Sequence, residues 1–386
     1  MSGSDDSAGN PGSAATPLAE RLAARIARDG PMSVAEYMHA SLHDPEHGYY
    51  RGQTAIGKAG DFITAPEISQ IFGELLGLWC VLVWQSMGSP SKLRLIEIGP
   101  GRGTLMRDAL RAARLVPEFR AALSVELVES NTVLQAAQRE TLAGESVPLS
   151  WRGELLLGDG PVILIGNEFL DTLSIDQWIW RNGAWRMRAV GLDQEGALTF
   201  LECEARPDSE AGAEAPPPLP PDLVPEEGCI FESRSRPFAD LVTAIKKLGG
   251  PVASLLIDYG HTRSGFGDTL QAIDAHRYAD PLQSPGKADL SAQVDFAAFA
   301  DAARAEGLAV DGPVTQAELL GRLGIIERAS RLMAMNPTLA AGIEASVARL
   351  LAPGGMGTRF HAVGLRSVDI SPLPALEPVE TDRRPT

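Results

Sequence analysis

One stretch restricts the fold of this chain more than any other: Leu93-Arg94-Leu95-Ile96-Glu97-Ile98 runs straight into Gly99-Pro100-Gly101-Arg102-Gly103. A short, mostly apolar run bounded by a turn is the pattern of a buried strand. Glycines at alternate positions let the backbone turn its N–H groups toward a ligand. Residues 104–116 then carry Leu105, Ala109, Ala112 and Ala113 at helical spacing. The unit repeats. A second strand, Leu123–Val128, ends at Glu129, a helix spans 131–142, and strands are expected near 147–151 and at 162–165. Strand, helix, strand, helix predicts an α/β fold with a doubly wound parallel sheet.

The flanks differ. A helix carrying Leu18, Leu22 and Ile26, a Gly30-Pro31 break and a helix over 34–42 lead to Gly48-Tyr49-Tyr50. A glycine-rich loop occupies 51–65, and Ala65-Pro66-Glu67 opens a helix expected to reach about Met87. Beyond residue 170, runs at 175–180, 185–190 and 197–202 alternate like antiparallel strands, and Asn182-Gly183 is a hairpin signal. Residues 204–227 read as a Pro-, Glu- and Ala-rich surface loop. A helix at 237–248, a strand at 253–257, helices near 294–306, 315–322 and 325–351, and a strand at 358–363 complete the chain.

Charge narrows the partners. With 34 Lys+Arg against 50 Asp+Glu, the net charge is −16, a field that repels nucleic acid and suits a basic partner. Cys80, Cys203 and Cys229 form no CxxC pair, which reads as reduced thiols in a cytoplasmic protein. The first residues lack the basic and apolar regions of a signal peptide, and no apolar run approaches the ~18–20 residues of a membrane span. No membrane insertion is expected. His39, His43 and His47 recur every four residues, but Asp44-Pro45 and Gly48 interrupt them and no ligand set is completed. No metal site is expected either.

The glycine turn has the form G-x-G-x-G, with Thr104 where a dinucleotide fingerprint needs its third glycine. That spacing argues against a nicotinamide oxidoreductase. Glu97 would repel a pyrophosphate but attract the sulfonium and ammonium of S-adenosyl-L-methionine; alternatively it is a paired strand-end carboxylate. Glu129 can accept both ribose hydroxyls or cap the following helix. The competing Glu126 lies within its strand. Gly99, Gly101 and Gly103, with Glu97 and Glu129, are thus the expected cofactor-binding set.

Longer motifs are specific. The block at residues 60–79, Gly-Asp-Phe-Ile-Thr-Ala-Pro-Glu-Ile-Ser-Gln-Ile-Phe-Gly-Glu-Leu-Leu-Gly-Leu-Trp, resembles the signature of the MidA-type family. These are class I, Rossmann-like methyltransferases related to the mitochondrial complex I assembly factor that methylates arginine. Residues 97–104, Asn167-Glu168-Phe169-Leu170-Asp171, Asp258-Tyr259-Gly260-His261 and the stretch Pro285-Gly286-x-Ala288-Asp289-Leu290-Ser291-x-x-Val294-Asp295-Phe296 match in the same order, so the likeness runs from about residue 20 to 365. The resemblance implies symmetric dimethylation of an arginine in a 49 kDa-type subunit of NADH:quinone oxidoreductase. Two departures stand out: Leu173-Ser174 replaces the usual Leu-Pro, and 204–227 is family-variable.

On this reading the chain divides into a disordered tail (1–16), an N-terminal helical cap with a lid loop (17–90) and an S-adenosylmethionine-binding core (91–170). An antiparallel insertion (171–230), the rest of the catalytic domain (231–370) and a second tail (371–386) follow. Asp61 and Phe62 are expected at the tip of the lid, with Glu67, Ser69 and Gln70 on the helix behind it and Asn167 beside the cofactor. Arginine is a poor nucleophile, because removing its proton beforehand at neutral pH costs roughly 7–9 kcal/mol. Orientation and charge compensation must do most of the work. Glu168 is the expected guanidinium anchor and Asp171 its second contact, unless Asp171 only caps the next helix. Asp258 and His261 either complete the catalytic set or, for His261, bond to backbone. Trp178, Trp180 and Trp185 either dock a partner or pack as cross-strand pairs. The oligomeric state stays open, a homodimer being one option. The rival functions are a methyltransferase acting on a small molecule or another protein nucleophile, and a non-catalytic S-adenosylmethionine-binding assembly chaperone.

Overall fold

The computed structural model describes residues 16–52, 64–204, 216, 218–274 and 277–376. Among the described residues, seven strands form the main run of the central sheet, β1 (Leu93–Ile98), β2 (Leu123–Val128), β3 (Leu149–Arg152), β4 (Val162–Asn167), β5 (Val252–His261), β6 (Ala309–Thr315) and β7 (Phe360–Arg366), and a short eighth, Val294–Asp295, pairs with the end of β5. Their spatial order is β6-β7-β5-β4-β1-β2-β3. β1 to β5 run parallel, while β7 is antiparallel to both β5 and β6. The order reverses between β1 and β4, and that switch point is where an open α/β sheet offers a crevice to ligands.

Alternation within the strands feeds a core on each face. Leu95, Ile163, Ile165, Leu255 and Ile257 point to one cluster, and Ile96, Ile98, Leu164 and Leu256 to the other. Helices Gln70–Ser86 and Thr104–Ala113 cover the first face. They touch closely, since a Cβ at Gly77 would lie 2.5 Å from the Ala109 carbonyl oxygen. Buried Glu74 cross-ties this layer by accepting from Arg111 at 3.0 Å and from Arg328 at 2.7 Å. Part of the signature block at 60–79 is therefore packing rather than chemistry. Helices Ser235–Lys246 and Phe296–Ala305 cover the second face.

A second sheet holds the insertion strands Asp176–Arg181, Ala184–Leu192, Leu198–Cys203 and Ile230–Ser233. Met32–Ser33 from the N-terminal region pairs with it, Met32 opposite Val190. Leu18, Leu22, Tyr37, Met38 and Leu42 share one apolar cluster with Ile175, Val190 and Leu290. Residues 16–50 thus pack on the insertion and on a small three-stranded sheet (Gln271–Asp274, Arg277–Ala279, Asp289–Ser291), whereas the helices Ala65–Ile68 and Gln70–Ser86 belong to the catalytic core.

Several elements depart from expectation. The helix expected over 65–87 breaks at Ser69, whose extended backbone (φ −152°) separates Ala65–Ile68 from Gln70–Ser86. The helix expected over 325–351 splits at Asn336-Pro337 into Ile325–Met335 and Ala340–Leu351. β6 was not anticipated, because Asp311-Gly312-Pro313 interrupts its pattern; the ladder slips there between Asp311 and Val314. Residues 205–215 and 217 of the expected loop, 1–15 of the first tail and 377–386 of the second lie outside the described residues, and the start of the second tail packs instead, Leu373 and Leu376 being buried in the first core cluster.

Candidate active site

Register decides which residues meet. Ile98 lies beside Val128 and beside Gly166, and Ile257 lies beside Asn167. The glycine turn, Glu129, Glu168 and Asp258 therefore leave the sheet along one rim, at the switch point.

Above the β1 turn is a cavity of about 360 Å³, bordered by Gly99, Gly101, Glu129, Phe169 and Thr172. Gly99, Gly101 and Gly103 have φ values of 62°, 52° and 80°, a region that side chains other than glycine's disfavour. Gln138 clamps the turn by donating to the Gly101 carbonyl at 2.8 Å, and Trp151 Nε1 donates to Gln138 Oε1 at 3.0 Å. Glu129 Oε1 accepts from the Asn131 amide at 2.7 Å, so it both braces the next helix and borders the cavity. Burial pushes its carboxyl up to about 6. Glu126 is spent elsewhere, in a 2.6 Å ion pair with Arg94.

A smaller compartment of about 50 Å³ adjoins the same turn and is lined by Glu97, Asn167, Glu67 and Thr104. Glu97 is 3% exposed, and its Oε2 has no hydrogen-bond partner. Burial lifts its carboxyl to about 8, against a smaller opposing effect of the Met106 amide. Thr104 Oγ1 donates to Glu67 Oε1 at 2.5 Å.

A third cavity, of about 220 Å³, lies on the other side of Glu168. Glu168, Thr172 and Tyr50 border both large cavities and form the partition between them. Glu168 has φ 54°, costly for a side-chain-bearing residue. Its Oε1 accepts from the Ala65 amide at 3.0 Å and from Asn167 Nδ2 at 2.8 Å. Burial raises its pKa above the usual carboxylate range. Asp171, 8% exposed with Oδ1 unpartnered, also lines this cavity. Burial, then the neighbouring charge of Glu168, lifts Asp171 to about 7. Arg234 supplies a buried counter-charge behind it, its guanidinium donating to the carbonyls of Leu173, Asp171, Ala292 and Gln293.

The other expected site residues fall elsewhere. Asp258 is fully buried; its oxygens accept from the amides of Leu170 (2.7 Å), Asp171 (3.1 Å) and Tyr259 (2.8 Å). It borders none of these three cavities and instead holds the turn that carries Asp171. His261 Nδ1 donates to the Arg263 carbonyl at 2.6 Å, the backbone-bonded alternative, and it too is outside them. Gly260 matters for packing, since a Cβ there would lie 2.1 Å from the Val294 carbonyl oxygen of the paired segment. Ser69 caps its helix by accepting from the Ile71 amide, and Thr64, Pro66 and Glu67 line the small compartment in its place. Asp61, Phe62 and the rest of the expected lid tip lie outside the described residues. Trp180 and Trp185 form a cross-strand, edge-to-face pair at 5.0 Å over buried Trp178. Tyr50, Thr172 and Tyr259 were not anticipated at the site; for Tyr259 the only signal was its place beside Asp258 in a motif.

A switch-point crevice with a glycine turn, an acid ending β2 and two adjoining cavities is the build of a class I methyltransferase. The match to known proteins makes this specific: the chain belongs to an S-adenosyl-L-methionine-dependent methyltransferase family, whose model matches residues 75–314. It is 34% identical to a zebrafish (Danio rerio) protein named protein arginine methyltransferase NDUFAF7, mitochondrial, across 89% of this chain and 85% of that protein. The human protein of the same name is 33% identical over 91% of this chain and 83% of its own length. Among solved structures, a Burkholderia thailandensis protein bound to S-adenosyl-homocysteine superposes with a TM-score of 0.80 at 26% identity, covering 93% of this chain and 94% of that one. The expectation of a cytoplasmic protein is overturned here, because these curated relatives are named as mitochondrial. Among the described residues, no helix is long and apolar enough to cross a membrane.

The residues fit the family's cofactor. The left-handed glycines Gly99 and Gly101 bring the backbone against a cavity of about 360 Å³, and an acid stands at the end of β2; Gly103 borders neither that cavity nor the small compartment, its amide closing the turn onto the Pro100 carbonyl as that of Gly99 bonds to Val128. The unpartnered, buried Oε2 of Glu97 suits a cationic ligand.

Proposed function

We propose that this chain is a protein arginine N-methyltransferase. The donor occupies the cavity over the glycine turn, and an acceptor guanidinium enters the cavity beyond Glu168. The observation that carries the reading is Glu168 itself, a carboxylate bordering both cavities. Names of relatives at about one-third identity support the choice of arginine.

Bound S-adenosyl-L-methionine supplies an electrophilic methyl group on a sulfonium. Everything else falls to the protein. Gly101 offers a backbone donor, Gly99 lets the chain approach the cofactor closely and Gly103 shapes the turn behind them; Glu129 takes the ribose hydroxyls and Glu97 faces the donor's positive charge, with Asn167 beside it. Glu168 and Asp171 grip the guanidinium through charge-assisted bonds, typically ~1.5–3 kcal/mol each. Both bonds that hold Glu168 fall on Oε1, so Oε2 is the atom assigned to the acceptor. Holding the guanidinium plane still leaves one nitrogen to attack through the partition, and its departing proton passes to a carboxylate whose pKa burial has already raised. Asp258 and Arg234 position this turn without touching the acceptor.

In finer detail, the acceptor is an arginine on a 49 kDa-type subunit of NADH:quinone oxidoreductase, and the product is symmetrically dimethylated. The motif resemblance to the complex I assembly factor supports this. The test is transfer of radiolabelled methyl to a peptide from that subunit, with mass spectrometry of the product. Glu168→Ala is expected to bind S-adenosylmethionine as the wild type does and to lose at least about a hundredfold in transfer, the scale of one lost transition-state contact. Wild-type turnover in that variant refutes the role. Binding without transfer by the native protein would leave the chaperone alternative.

A further inference from the structure

Resting on the arginine reading, we propose that Asp289 is a third acceptor anchor, which makes the cavity select a guanidinium over an ammonium. Asp289 belongs to the Pro285–Ser291 motif, to which neither the donor nor the transfer step gives a role. It opens the strand Asp289–Ser291 and lines the 220 Å³ cavity together with Glu168 and Asp171, while bordering neither donor compartment. Carboxylates alone would not make a site. Asp171 adds the second observation: at 8% exposure its Oδ1 has no partner, an acceptor atom buried in this cavity's wall and owed a donor.

The support around Asp289 is rigid. Tyr50 donates its hydroxyl to Asp289 Oδ1 at 3.2 Å while walling both large cavities. In the same small sheet Gln271 donates to Tyr259 Oη at 2.8 Å, and Tyr259 pairs with Ser291 Oγ at 2.7 Å. The sheet is thereby pinned to the mouth of β5. Glu168 and Asp171 come from a single turn, whereas Asp289 arrives on a separate element. A guanidinium presents five N–H donors spread around a plane and can satisfy carboxylates from two elements at once. A lysine ammonium is a compact point with three donors and cannot span them equally well.

The experiment uses the full chain saturated with S-adenosylhomocysteine. Binding of N-acetyl-arginine methylamide and N-acetyl-lysine methylamide is followed by NMR titration. The wild type is expected to prefer the arginine probe at least about tenfold. Asp289→Asn is expected to keep its S-adenosylhomocysteine affinity, to weaken the arginine probe about tenfold or more, and to change the lysine probe by less than about threefold, the difference one charge-assisted contact makes. Tyr50→Phe, which keeps the ring, is expected to lose about threefold on the arginine probe and serves if Asp289→Asn does not fold. An unchanged arginine-to-lysine ratio in a folded variant overturns the proposal while leaving the arginine reading intact. A wild type that binds S-adenosylhomocysteine but neither probe overturns the arginine reading, and this proposal with it.

Discussion

Replacing Glu97 with Gln tests the donor side of the site most directly. Glu97 is 3% exposed, with Oε2 unpartnered, and burial holds its carboxyl near 8, far above the ordinary 4.5. At pH 7 about nine in ten molecules carry it protonated. If the cationic donor requires the ionised form, apparent affinity scales with the ionised fraction. Between pH 6.5 and 8.5 the dissociation constant should then fall by roughly 25-fold, and binding at pH 7 should release about 0.9 proton. Glu129, raised only to about 6, is mostly ionised across that range and adds little slope. Calorimetric titration with S-adenosylmethionine, in buffers of differing ionisation enthalpy, reads both quantities. Glu97→Gln should bind weakly, with no pH slope and no proton release. Stability supplies a second readout of opposite sign. Because the folded pKa is raised, Glu97 makes the native state without donor lose stability as pH climbs from about 4.5 to about 8, by a few kcal/mol at most, and Glu97→Gln should remove that share while those of Asp171 and Glu129 remain. A wild-type affinity flat with pH, with no proton released, refutes the reasoning.

Other outcomes follow from the same geometry. Gly101→Val should abolish donor binding while circular dichroism remains native, because a β-branched side chain at φ 52° strains the turn and enters the cavity; unchanged affinity would count against the placement. Asp171, lifted to about 7, must ionise to hold a guanidinium, so kcat/KM for the acceptor should rise with pH through about 7 and then level off, and a flat profile would remove Asp171 from that role. Asp258→Ala orphans the amides of Leu170, Asp171 and Tyr259 and should cost about 1–3 kcal/mol for each one left unpaired, measured by urea unfolding. Asp258→Asn, which keeps a carbonyl, should cost less; equal losses would contradict the account.

What the sequence made legible was local. The buried strand with its glycine turn and the acid closing β2 are contiguous, and periodicity and spacing suffice to find them; the Asn167–Asp171 segment rests on its resemblance to the family motif and its place after a buried strand. Other placements rest on geometry that a local pattern does not reveal, most of it between distant residues. Ser69 carries no mark that separates a helix cap from a ligand contact; only the broken helix shows it. Asp258 resembles a catalytic acid at a strand mouth, but three amides fold over it from the adjoining turn. Tyr50 reaches the site because Met32–Ser33 pairs with a strand more than 150 residues away, an arrangement that no local pattern encodes. The small sheet beneath Asp289 escaped notice because its strands are three or four residues long and carry Asp and Arg among few apolar side chains.

The strained conformation of Glu168 explains how so short a segment can serve two cavities. A continuing strand would send residue 168 along the sheet, its side chain committed to one face. At φ 54° the chain turns sharply instead, while its amide still donates to the Ile257 carbonyl at 2.8 Å, so the turn stays anchored to β5. Oε1 is then drawn to the Ala65 amide, at the start of the helix that follows the glycine-rich loop. The left-handed region costs roughly 1–3 kcal/mol, offset by these two bonds and the one from Asn167 Nδ2. Glycine would adopt the same turn without strain but would bring no carboxylate. A relaxed glutamate would keep the carboxylate but leave it on one side of the partition. On the arginine reading, only the strained acid puts a carboxylate at the boundary that the methyl group crosses.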